Sequence, residues 1–359
     1  MTTDGGRSPV EGSPARSPRP TYPLTPLTPL TPLTPLTRLT PLTRLTRLTS
    51  LTRIDLALVA MVVIWGANYS VLKVAFQEIP QQPFNALRMV IASIVFAFAI
   101  TVILNRAKKG ATPPRMLFTR EPLLRRDVLS LAALGLVGHF AYQLSFVSGV
   151  ALTSVANSSL IIGATPVCVA LAGAALGRER VSRMHWIGAA VSAIGIWIVV
   201  GMGAGLGGDH LTGDVLIFVS VACWTVYTVG AATLLKRHSP LFVTGTSMAM
   251  GAVPYVIVTI PQMADVDWAA VSAWTWWALV FSSLFALCLA YLIWYAAVQK
   301  IGMARTSIYS NLVPIAAMSV AALWLGEALT PQKLVGAALV LSGVALTRIR
   351  LPMVSPGPR

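Results

Sequence analysis

The alternation of apolar and polar positions divides the chain into two unlike parts. From Ile54 onward, apolar runs recur, separated by short polar or charged stretches. Runs of about 20 residues are what an α-helix needs to cross the hydrocarbon of a bilayer. The pattern predicts spans over 54–75, 84–104, 128–150, 155–176, 183–202, 214–235, 241–261, 275–297, 305–325 and 332–350. The third and fourth, and the eighth and ninth, are joined by very short polar turns. Pro83, Pro240 and Pro331 fall at or beside helix starts, where a missing N–H breaks no helical bond. Residues 1–53 hold no comparable run. They open rich in Ser, Pro, Gly and Arg. From Leu24 they continue as a Leu-Thr-Pro and then Leu-Thr-Arg triplet repeat, a tail expected to be disordered. No secretory signal is expected, because the one apolar stretch of this tail is interrupted by Pro and Thr.

Composition agrees with a membrane protein. The chain is 55% hydrophobic and 11% charged, against about 25% charged in soluble domains. That is too few charges to clothe a water-facing surface. The net charge of +15 would suit nucleic acid, but the cations lie between apolar runs rather than on one basic face, and no nucleic-acid motif is present. If the N-terminal tail is inside, 24 of the 27 Lys and Arg fall on the inner side, leaving Lys73, Arg88 and Lys333 elsewhere. The positive-inside rule then selects ten spans with both termini in the cytoplasm. Cys168, Cys223 and Cys288 lie inside apolar runs without CxxC spacing, so they read as small packing residues rather than a disulfide or metal framework.

The chain also repeats itself. At a shift of 148 residues Pro166 matches Pro314, Glu179 matches Glu327, Gly188 matches Gly336 and Gly195 matches Gly343, without a gap. Nearer the start of each half the shift is 159, pairing Trp65 with Trp224, because the first half carries a longer basic loop. Arg178, Arg180 and Arg183 correspond to Gly326, Ala328 and Pro331, while Lys300 and Arg305 correspond to Leu152 and Asn157. The cations have changed ends of the repeating unit. The expected fold is therefore all-α, with ten transmembrane helices as two inverted five-helix repeats over 54–203 and 204–350 and a short tail at 351–359. Inverted repeats are a recurring architecture of secondary transporters.

These motifs carry a resemblance. Trp65-Gly66-Ala67-Asn68 in the first span and Pro83 through Arg88 at the second resemble the EamA family of the drug/metabolite transporter superfamily. So do Tyr291 through Gly302, Pro314, Leu325-Gly326-Glu327, Gln332, Gly336 and Gly343. The likeness spans roughly 54–350 and is closer in the second half. The N-terminal tail, the long basic loop and Met184 at the position of Gln332 depart from the pattern. The resemblance implies a multi-pass protein of the cytoplasmic membrane and, as a class, export of amino acids or other metabolites.

Candidate chemistry is sparse. Trp268, Trp274, Trp276 and Trp277 fit an interfacial belt. Trp65 and Trp224 fall instead near the middle of corresponding spans, with Asn68 and Tyr69 beside one and Tyr227 beside the other. They read either as an aromatic cavity wall or as helix packing. Tyr291, Tyr309 and Asn311 join the candidate solute-binding set. His139 lies in mid-span with Tyr142 and Gln143 a turn away, either a proton acceptor or a neutral side chain bonded to a neighbouring helix. Arg88, about one turn into its span, either snorkels, pairs with Glu78 or binds a solute carboxylate or phosphate. Lys73 is a weaker version of that case.

Structural roles are expected for the remaining repeated positions. Glu179 and Glu327 sit in tight turns beside helix starts. Pro166 and Pro314 should kink their helices, and Gly188, Gly195, Gly336 and Gly343 should permit close packing.

The leading expectation is a secondary transporter of a small organic solute, working by alternating access. No catalytic residue, metal or cofactor is expected. The expected partners are the solute and the lipid bilayer, with a homodimer left open. Membrane carboxylates suited to proton coupling look missing. A membrane-embedded enzyme or an assembly protein is the alternative, but HExxH, GxSxG and P-loop motifs are absent from the sequence.

Overall fold

The structure is a computed structural model that describes residues 53–176, 183–203, 209–302, 306 and 309–346. Its helices are α1 (Arg53–Ala75), α2 (Gln81–Lys108), α3 (Arg125–Leu152), α4 (Val155–Gly173) and α5 (Arg183–Gly203), then α6 (Asp209–Leu234), α7 (Pro240–Ala264), α8 (Ala273–Ile301), α9 (Val313–Leu325) and α10 (Pro331–Leu346). Among the described residues, seven helices are long and apolar enough to cross a membrane: α1 to α4 and α6 to α8. The apolar stretches Trp186–Ile198 and Val313–Leu325 are shorter than that measure. Of the ten expected spans, seven meet that measure among the described residues. The clearest shortfall is the ninth, where a turn at 311–312 comes just before Pro314 and cuts into the 305–325 run.

Local chemistry explains several helix ends. Ser154, Ser239 and Ser272 are extended residues whose side chains accept from Asn157, Phe242 and Thr275 N–H, capping α4, α7 and α8. Pro240 then takes the first position of α7. Gly302, at φ +85°, ends α8, and Gly326, at φ +66°, ends α9.

Packing follows the repeat. α5 lies on α10, α2 on α7 and α4 on α9, each a helix against its own counterpart. The other large contacts come as matched pairs: α3 on α6 with α8 on α1, α3 on α7 with α8 on α2, and α4 on α6 with α9 on α1. The α5–α10 contact is reciprocal at the residue level. A Cβ on Gly195 would stand 2.8 Å from the Gly336 carbonyl, and one on Gly343 would stand 2.5 Å from the Gly188 carbonyl. Between them Ser192 Oγ donates to the carbonyl of Val340, its own repeat counterpart, at 3.2 Å. Small residues let these backbones meet. Glu179 lies outside the described residues.

α3 and α8 share a second feature. Each contains a π-helical segment, Leu136–Ala141 and Ser282–Leu289, and the two overlap at the 148 shift. At their ends Tyr142 N–H bonds to Val137 O and Ala290 N–H to Phe285 O, five residues back in both. Such widened turns interrupt the ordinary helical ladder and are frequent at functional sites.

Candidate functional site

One cavity of about 70 Å³ lies among α1, α2, α3, α4, α6, α8 and the start of α9. Its wall is built largely from repeat counterparts. Trp65 faces it with Trp224, Gln143 with Tyr291, Phe146 with Trp294, Ile162 with Ser310 and Thr165 with Val313.

The aromatic rings hold one another in edge and tilted contacts. The Trp65 centroid is 6.0 Å from Trp224 and 5.7 Å from Trp294, and Trp224 is 5.3 Å from both Tyr142 and Tyr291. Such pairs contribute about 0.5–1.5 kcal/mol each beyond burial, so the wall is stiff. The π segment of α8 fixes one ring further. Ala290 N–H bonds past Ala286 to Phe285 O, and Trp65 Nε1 donates to the Ala286 carbonyl at 3.0 Å.

The floor comes from two interrupted helices. α4 breaks at Ala164 (ψ −7°), and the α9 segment starts after Leu312 (ψ −15°), the same repeat position. A Cβ on Gly163 would stand 2.8 Å from Pro314 Cγ, so the breaks cross each other. Pro166 has no N–H for the Ile162 carbonyl, and Thr165 Oγ1 donates to that carbonyl instead, at 2.6 Å. Ile162, Thr165, Ser310 and Val313 flank the breaks and line the cavity.

Arg88 is the single charged residue on the described wall. It is 1% exposed. Its Nη1 donates to Asn85 Oδ1 at 2.8 Å, one turn back on α2, and its Nε has no partner. Glu78, one of its expected partners, accepts instead from Ser272 N–H and Oγ–H, both at 2.8 Å, at the start of α8. Lys73 donates to the Ala151 carbonyl at 3.1 Å, away from the wall.

Of the ten candidate residues, Trp65, Asn68, Arg88, Tyr142, Trp224 and Tyr291 line the cavity. His139 and Tyr227 stand behind it. His139 is fully buried, with Nε2 3.0 Å from Tyr227 Oη and 3.2 Å from Ser247 Oγ, and those two oxygens are 3.0 Å apart. Tyr309 donates to Asp55 at 2.6 Å near the start of α1. Asn311 lies outside the wall, its buried Oδ1 unpartnered.

Sequence reasoning missed Phe146, Trp294, Thr165 and Ser310 as wall residues. The 148 shift applied to Tyr291 and to the prolines would have drawn attention to this neighbourhood. The carboxylate of Asp214 was passed over as well. Asp214, near the start of α6, is 3% exposed and accepts from Thr153 Oγ1 at 2.7 Å and Asn157 Nδ2 at 3.2 Å. Glu327 reaches beyond its own turn, accepting from Val155 N–H at 2.9 Å and Ala156 N–H at 3.3 Å, the first turn of α4.

Comparison with known proteins places this architecture. An uncharacterized transporter of Bacillus subtilis, YyaM, is 29% identical over 238 residues, covering 65% of this chain and 78% of that protein. A second from the same organism, YetK, is 24% identical and covers 82% of this chain and 86% of its own. A probable terminal-alkyne amino-acid exporter of Streptantibioticus cattleyicolor is 27% identical over 294 residues, covering 82% of this chain and 93% of its own. A solved crystal structure superposes with a TM-score of 0.58 at 20% identity, covering 82% of this chain and 96% of that one, a likeness of fold. The EamA-like transporter family matches twice, over residues 52–201 and 211–349, one match to each repeat. With seven helices able to cross a bilayer and both halves matched, the chain is a multi-pass membrane protein that belongs to the EamA-like transporter family.

Proposed function

We propose that the protein moves a small organic solute, an amino acid or related metabolite, out of the cell by alternating access. In this reading its halves, 54–203 and 204–350, are inverted five-span repeats in the cytoplasmic membrane, with both termini in the cytoplasm. The observation that carries it is the cavity wall, where counterparts from the two halves face a shared space. Rocking one half against the other would change access to that space without dismantling it. The charge exchange between repeat ends supports the inversion, and the amino-acid exporter among the relatives supports the solute class.

The test is flux in proteoliposomes with a labelled panel of amino acids and metabolites, with and without a pH gradient. Saturable movement of one class is expected. Trp65→Ala and Trp224→Ala should each abolish it while folded protein remains in the membrane. Full activity in both variants would remove the aromatic cavity from the mechanism, and no flux from folded protein would remove transport.

A further inference from the structure

We infer that Arg88 is the anchor for a carboxylate on the solute, and that the solute also carries a hydrogen-bond donor directed at Gln143. This rests on the cavity being the transport site and names the chemistry recognised there.

The repeat supplies an internal comparison. At the 159 shift Arg88 corresponds to Ser247 and Asn68 to Tyr227, and at the 148 shift Leu287 corresponds to His139. On one side of the pseudo-symmetric site, Ser247 and Tyr227 of the second half and His139 of the first close on one another in a hydrogen-bonded triangle, fully buried and off the cavity wall. On the other side, the counterparts Arg88 and Asn68 of the first half and Leu287 of the second all line the cavity. Asn68 accepts from Ser282, leaving Arg88 with Asn85 as its one hydrogen-bonded side chain among the described residues. One end of the pseudo-symmetric site is thus filled by its own side chains, while the other faces open space with a buried cation.

That cation lacks a countercharge. Among the described residues no carboxylate lies within ion-pair distance of Arg88. The titratable side chains near enough to feel its charge are the phenols of Tyr142, Tyr255 and Tyr291, neutral at pH 7. A guanidinium removed from water without an anion is strongly unfavourable, and its planar fork matches a carboxylate. Three wall residues also keep buried polar atoms unpartnered: Arg88 Nε, Trp294 Nε1 and Gln143 Oε1. Nine further such atoms lie elsewhere among the described residues, but these three belong to side chains lining an open space in which a ligand could meet them. Two are donors and suit a carboxylate. The third is an acceptor and calls for an N–H or O–H on the same solute. The surrounding indole and phenol faces accept the rest of it, apolar or cationic.

The test uses binding rather than flux, so that it stands apart from the test of transport. Purified protein is titrated with L-leucine, L-leucinamide, 4-methylpentanoate and isopentylamine, following tryptophan fluorescence. The two acids should bind at least about 100-fold more tightly than the amide and the amine. Leucine should bind more tightly than 4-methylpentanoate, a preference that Gln143→Leu should remove. Arg88→Gln should abolish the preference for acids without lowering the melting temperature of the empty protein, because it removes an uncompensated charge. Equal binding of leucine and leucinamide by the parent protein would overturn the inference. So would an Arg88→Gln variant that keeps the acid preference, or one that melts earlier and binds none of the four, which would make Arg88 a structural residue. Acid-selective binding without flux would instead count against transport and leave this site standing.

Discussion

A buried side chain is read by what satisfies it. His139 and Arg88 occupy similar depths, yet the structure separates them. Each keeps one buried nitrogen unpartnered, His139 Nδ1 and Arg88 Nε, but the histidine has two hydroxyls at its Nε2 and lies off the wall, while the arginine has one amide and an open cavity. Glu78 is a third case. Its carboxylate takes both the backbone N–H and the hydroxyl of Ser272, and these bonds hold its pKa below the ordinary carboxylate value. A depressed pKa means that the bond contributes stability above the unfolded value and loses it as pH falls through the folded one. Amide exchange at 272–276 should therefore quicken, after correction for its intrinsic pH dependence, between pH 6 and pH 3. Glu78→Gln should bring that faster exchange to pH 6. Equal protection in both proteins would mean that the turn does not hold the start of α8.

Helices here meet through backbone as much as through side chains. α5 and α10 approach so closely that a Cβ on Gly343 would stand 2.6 Å from Ser192 N. Overpacking of a close contact costs about 1–3 kcal/mol. Gly343→Leu should lower the melting temperature in detergent, and Gly343→Ala should do so less. Unchanged melting in both would show that the helices can separate freely.

Two acidic side chains mark the outer limits of the helix contacts. Asp55 and Asp214 are counterparts at the 159 shift; one accepts from Tyr309, joining α1 to the run before α9, and the other from Thr153 and Asn157, joining α6 to the start of α4. In an alternating-access cycle these bonds would close opposite ends. With Cys168, Cys223 and Cys288 replaced by alanine and Thr165→Cys as reporter, Asp214→Ala should raise labelling by an impermeant thiol reagent from the side where α6 begins. Asp55→Ala should raise it from the other side. Labelling unchanged from both sides would leave the two bonds as static packing.

At the scale of the molecule, the repeat organises the contacts. Each large helix pair either joins an element to its counterpart or has a matching pair in the other half. The cavity lies where the paired π segments, the paired helix breaks and the paired tryptophans converge. Its symmetry is broken by side chains at equivalent positions, Arg88 against Ser247 and Leu287 against His139. A binding site between repeats can in this way keep the two-fold path for access while recognising a solute that has no two-fold symmetry.

Sequence alone determined the membrane setting, the family resemblance and the repeat, because each depends on runs, spacings and counts that survive without coordinates. Apolar length is set by bilayer thickness, and Pro166 with Pro314 or Gly195 with Gly343 fall at a fixed interval. The helix interruptions were legible through the prolines, as was the central place of Trp65 and Trp224. Tertiary structure alone decided which polar residues face the cavity. Arg88 and His139 looked equally open in sequence, since both are single ionisable residues in apolar runs and their partners lie on other helices: Ser247 is 108 residues from His139 and Tyr227 is 88. The π turns were also hidden, because a one-residue change in hydrogen-bond register leaves no mark in an apolar stretch. Glu327 showed the same limit. A carboxylate beside its own helix start satisfies instead the first turn of α4, 172 residues away, a contact set by how the halves pack rather than by local sequence.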